Sequence, residues 1–155
     1  MRCSGMALAV LAAPLFSCSL LIAAAAPNFS GTWQLDEAKS PDANGASITL
    51  TIQNTSGKII FQRTVHAKDG KDLISQFSCS ADGSECDYDE NGHKAKVSLW
   101  YDGTSLMILK TNGPKEDATT QWKLELAPGG DTLNIHCEHL DPTDKTQELV
   151  YTKKI

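Results

Sequence analysis

The sequence predicts an all-β protein: an antiparallel up-and-down meander of about eight to ten strands that closes into a small barrel. Turn signals recur along the chain, as "NTSG", "KDG", "ADGS", "ENG", "YDGT", "TNGP", "APGGD" and "DPTD". The runs between them alternate apolar and polar residues, which gives each strand one buried and one wet face. Past the apolar N-terminus, no stretch of useful length carries a helical period; "EAKSPDANG" has room for a turn or short helix before Pro41 and nothing more. An open sheet of so many strands would leave adhesive edges, which closure removes. A two-sheet sandwich is the alternative.

The first residues read as an export signal. Arg2 supplies a positive start, Met6 to Phe16 an apolar core, and Leu20 to Ile22 a second apolar run before four alanines. Ala23 and Ala25 fit the small-x-small pattern for cleavage after Ala25. Residues 1–25 are therefore predicted to be a signal peptide and 26–155 one barrel domain, secreted or periplasmic. An uncleaved anchor over Met6 to Ala26 is an alternative, since that run is long enough to span a bilayer. Acylation at Cys18 is a third reading, weakened by bulky Phe16 where a small residue is expected. The net charge of −5 falls to −6 without Arg2. That balance excludes a nucleic-acid backbone as partner and a polybasic grip on lipid, so no membrane association is expected after cleavage.

Taken in order, the first strand is "NFSGTWQLD". Gly31, Trp33 and Leu35 share its inward face, and Thr32, Gln34 and Asp36 point out. In "ASITLTIQ", Ile48, Leu50 and Ile52 face inward. A three-residue loop at Lys68-Asp69-Gly70 sets Phe61 against Phe77 and Val65 against Leu73. A two-residue turn there would set Phe61 against Ser78, so apolar matching selects the longer loop. An Asp82-Gly83 turn sets Cys79 opposite Cys86 at disulfide distance, which predicts a bridge stapling that hairpin. Cys137 is then the odd thiol, read as a small buried hydrophobe. An Asp102-Gly103 turn pairs Leu99 with Leu106 and Val97 with Ile108 on the core face. The opposite face then carries Trp100, Met107 and Leu109, an apolar patch that is either covered internally or an interaction surface for another exported protein. Trp122, Leu124 and Leu126 line one face of "TTQWKLEL", and Leu133, Ile135 and Cys137 one face of "DTLNIHCEHL".

The G-x-W of Gly31 and Trp33, with Asn28 and Phe29 before it, resembles the lipocalin signature and that of lipocalin-like (calycin) barrels more broadly. The string "NFSGTW.LD..KS", the "W.L.L.P.G.TL" hairpin and the closing "VYTKK" resemble small secreted bacterial lipocalin-like proteins over most of residues 28 to 153. The resemblance implies a tryptophan closing one barrel end beneath a ligand cavity, with a basic side chain of a late strand, Lys153 or Lys154, packed near it.

The chemistry the chain offers is that of a binding module. An interior lined by Trp33, Leu50, Phe61, Phe77, Leu99, Tyr101 and Trp122 would desolvate a small apolar or amphipathic ligand. Arg63 falls on the inward face with Ile59, Phe61 and Val65, where it would clamp a carboxylate or lie at a wet rim. In "HCEH", His136 and Glu138 point to one face and Cys137 and His139 to the other, so no metal site forms locally. No G-x-S-x-G elbow and no phosphate loop occur, and neither enzymatic activity nor a cofactor is expected. The sequons at Asn28 and Asn54 matter only in a glycosylating host.

Overall fold

Period-two alternation is realised as ten strands in this computed structural model, which describes residues 26–43, 45–55, 57–90, 92–112, 118–143 and 145–155. The leader expected at residues 1–25, with Cys18 and the cleavage point, lies outside the described residues. The strands are β1 (Gly31–Leu35), β2 (Ser47–Thr55), β3 (Lys58–His66), β4 (Leu73–Ser80) and β5 (Asp82–Glu90), then β6 (His93–Asp102), β7 (Ser105–Asn112), β8 (Thr119–Leu126), β9 (Thr132–Asp141) and β10 (Thr146–Lys153). Each pairs antiparallel with its chain neighbour, and β1 closes on β10 through Trp33 with Lys153, Gln34 with Thr152 and Leu35 with Tyr151. The result is a closed meander barrel without free edges.

Apolar matching decides the registers. Phe61 lies opposite Phe77 and Val65 opposite Leu73, as the longer "KDG" loop requires. Cys79 and Cys86 are bridged, with Cα atoms 5.8 Å apart. At the β6–β7 hairpin the register differs from the expected one. Leu99 pairs with Ile108 and Tyr101 with Leu106, while Val97 meets Lys110. The turn sits one residue later, on Gly103-Thr104, because Gly103 takes the positive φ of +59° that the first central position of a tight hairpin demands. The shift moves each partner by two residues, so it preserves faces: Val97, Leu99, Leu106 and Ile108 all remain in the core.

Between β1 and β2 stand two 3₁₀ turns, Glu37–Lys39 and Pro41–Ala43. The second lies beyond the expected stop at Pro41. Proline's fixed φ suits the first position of a turn, and the Ala43 N–H donates to Ser40 O at 3.0 Å. Buried Ser40 pins this segment to the last strand: its Oγ donates to Val150 O and accepts from Val150 N–H at 2.9 Å. Among the described residues, no helix is long and apolar enough to cross a membrane.

Candidate functional site

Trp33 seals one end of the barrel. It is wholly buried, and its indole N–H donates to Phe29 O at 3.1 Å. Lys153, its cross-strand partner, places Nζ 5.3 Å from the ring centre. Gly31 sits beside this contact at φ +153°, and a Cβ there would come 2.9 Å from Lys153 Cε. Phe29 in turn packs on Tyr101, whose hydroxyl donates to Pro27 O at 3.5 Å.

Above this plug the interior holds a cavity of about 120 Å³. Alternation on six strands builds it. Leu50 of β2 and Phe61 and Arg63 of β3 form one wall; Trp122 of β8 with Ile135 and Cys137 of β9 form the opposite one. Lys110 of β7 and the Gln147-Leu149-Tyr151 face of β10 complete the lining. Arg63 lies between Leu50 and Ser75 in register and is half-buried. No described side chain makes a hydrogen bond or ion pair with its guanidinium. Burial pushes the Tyr151 hydroxyl up to about 12, with Arg63 pulling the other way, so it is a protonated donor at neutral pH. Burial likewise raises the Cys137 thiol, against the hydrogen bond from Trp122 and the charges of Arg63 and Lys110. Cys137 is thus a neutral thiol, not an activated nucleophile.

Aromatic rings fill the space beside the cavity. Phe61 stacks on Phe77 with centroids 5.2 Å apart and meets Trp122 at 5.8 Å; Phe77 meets Tyr88 edge-on at 5.6 Å. Lys110 Nζ lies 5.2 Å over the Tyr88 ring. Of the residues expected inside, Leu50, Phe61, Arg63 and Trp122 come together at the cavity. Trp33 and Tyr101 belong to the sealed end, Leu99 is fully buried in the core off the cavity, and Phe77 stands one ring behind the wall. Lys110, Gln147 and Tyr151 were not singled out from the sequence. Lys110 continues the inward series of Leu106 and Ile108, and Tyr151 that of Gln147 and Leu149, so the period-two signal for them was present.

On the outer face, Met107 lies opposite Trp100 on one side and Lys123 on the other. Met107 is buried, and Trp100 and Leu109 are half-buried. Among the described residues, the large apolar side chains that stand exposed are Leu73, Ile74, Leu140 and Ile155. His136 pairs with Glu148 across β9–β10, and no cluster of three metal-ligand side chains occurs among the described residues.

No family model and no curated protein sequence matches the chain. Solved structures do match. Lipid binding protein 8 of Caenorhabditis elegans superposes with a TM-score of 0.63 at 10% identity, over 81% of this chain and 95% of that one. The Schistosoma mansoni fatty acid binding protein, solved with arachidonic acid, gives 0.59 at 21% identity, over 82% and 96%. Secretory abundant heat soluble protein 4 of Ramazzottius varieornatus gives 0.63 at 15% identity, over 82% and 95%. At these identities the likeness shows the fold alone: a ten-strand, closed antiparallel barrel of calycin type.

Proposed function

We propose that the protein is an exported, non-enzymatic carrier that holds a compact anionic amphiphile inside its barrel. The observation that carries this reading is the cavity itself, with an apolar floor and an Arg63 that has no side-chain partner among the described residues. Lys110 adds a second cation to the lining, and Tyr151 adds a neutral donor, so a carboxylate or sulfonate would meet charge-assisted hydrogen bonds in a partly desolvated place. An apolar cavity of about 150 Å³ accepts a benzene-sized ring, so about 120 Å³ suits one ring or a short chain. The lipid and fatty acid binding named for two of the structural neighbours supports the ligand class. The Cys79–Cys86 disulfide and the apolar leader support export to an oxidising compartment.

A second reading is favoured by one number. The cavity is smaller than the roughly 300–1,000 Å³ of drug-sized ligand pockets, as expected of a filled core that acts through its outer surface on another exported protein. Native mass spectrometry of the mature protein purified from its own host separates the two. An extra mass the size of a single-ring or short-chain anion, lost on denaturation, supports the carrier. A bare mass, together with failure of the protein to bind benzenesulfonate, overturns it in favour of surface interaction.

A further inference from the structure

The outer wall divides into a charged half and an uncharged half. On β5, β6 and β8 the outward positions carry Glu85, Asp87, Lys94, Lys96, Lys123 and Glu125. Across β1 to β4 the outward series of the described residues holds two ionisable side chains, Lys58 and His66, at the two ends of β3. Between those ends the registers lay out rows of neutral hydrogen-bonding groups. Thr32 lies opposite Thr51, Thr51 opposite Gln62, and Gln62 opposite Gln76. The next row starts at Gln53 and continues through Ile60 to Ser78. Where these rows begin, a shallow groove of about 380 Å³ runs over β1 and β2 at the sealed end. Its polar lining is Ser30, Thr32, Thr51, Gln53, Asn54 and Thr55.

The groups on this face are uncommitted. The side chains of Thr32, Thr51, Gln53, Gln62 and Gln76 make no hydrogen bond with a described residue. Each hydroxyl or amide both donates and accepts. Strand geometry repeats them roughly every 4.8 Å across the sheet and roughly every 7 Å along a strand. A partner covering this face strands no ion, and a charged partner finds nothing to pair with. Protein partners anchor on aromatic, Met and Arg side chains. No outward position of β1 to β4 carries one. A partner that is uncharged, donates and accepts at every point, and repeats at short intervals is a chain of sugar rings. The groove is also roomy enough, within the roughly 300–1,000 Å³ of small-ligand sites. We propose that the β1–β2 groove and the row from Thr32 to Gln76 bind an uncharged polysaccharide. One such hydrogen bond gains little net against water, so binding draws on the whole row. The site lies on the outer wall and uses none of the cavity's polar groups, so it stands whether or not the interior holds cargo.

The test is affinity electrophoresis of the mature protein in native gels cast with dextran, laminarin or hydroxyethyl cellulose, each compared with a polymer-free gel. The expected result is migration slowed at least about twofold by one of the three. Thr51→Glu/Gln53→Glu, checked for native circular dichroism, should remove the slowing. Gln121→Glu, which puts a carboxylate on the outer face of β8, should keep it. Thr51→Val removes one hydroxyl and adds no charge; it should weaken the slowing, and it carries the test if the charged pair fails to fold. Unchanged migration in all three gels overturns the proposal. So does slowing that survives Thr51→Glu/Gln53→Glu, or that Gln121→Glu also removes. A dimer by light scattering that the Thr51 and Gln53 substitutions dissolve assigns the face to a second copy and overturns the proposal as well.

Discussion

The two ends of the barrel use the same ingredients to opposite effect. At the sealed end an aromatic ring and a cation, Trp33 and Lys153, are direct cross-strand partners, and the indole N–H is satisfied by Phe29 O. At the cavity end the cation Arg63 faces Trp122, Cys137 and Tyr151 across a space of about 120 Å³ and has no side-chain partner among the described residues. One end engages its cation and its indole N–H with each other's neighbours; the other turns the Arg63 guanidinium toward the cavity. A residue whose interactions are complete contributes to stability, and one whose interactions are incomplete is available to a ligand.

The sharpest way to break this contrast is Trp33→Ala. Removing a fully buried indole should cost about 3–5 kcal/mol, a large fraction of the stability of a domain this size. Urea unfolding followed by circular dichroism would register a midpoint falling by more than half. A shift under 1 kcal/mol would mean that the neighbouring rings, not Trp33, seal that end.

Tyr151 tests the cavity end through pH. Its folded value of about 12 stands above the 10.0 of an unperturbed phenol. The unfolded chain therefore loses this proton first, and between pH 10 and pH 12 the folded state binds more protons. Stability from this group is fully present below pH 10 and declines toward pH 12, by about 3 kcal/mol for a shift of this size. Tyr151→Phe should lose this part of the alkaline decline while the rest of the profile is kept. Parallel curves for the two proteins would show that the hydroxyl reaches water in the folded state.

Arg63→Met should separate the ends most clearly. The side chain makes no ion pair with a described residue, so stability should change by less than about 0.5 kcal/mol. Affinity for benzenesulfonate should fall at least about tenfold, equivalent to about 1.4 kcal/mol. Loss of stability with affinity intact would place Arg63 among the structural residues.

Legibility from the sequence follows the same division. Facing is local: period two put Trp33 and Arg63 inward, and the choice between two "KDG" loops followed from setting Phe61 against Phe77. The Cys79–Cys86 bridge needed only a tight turn between two cysteines seven residues apart. Height along the barrel axis is not local. It depends on how each strand is staggered against the next around the closed ring. Tyr101 and Phe77 are therefore inward yet off the cavity, while Tyr151, at the far end of the chain, reaches it because β10 closes on β1.

Lys153 gives the smallest and most discriminating effect. Its side chain is exposed, so the contact with Trp33 should contribute about 0.5–1 kcal/mol. Lys153→Met keeps an apolar stem across the indole and removes only the charge, and Trp33→Phe keeps a ring with a weaker face. A double-mutant cycle between them isolates the pair from the packing each residue also supplies. A coupling in that range means that the cation and the ring hold the seam between β1 and β10, the one place where the first and last strands must find each other. A coupling of zero means that closure rests on backbone pairing and on Leu35 against Tyr151. Lys153 would then be free to change without opening the sealed end.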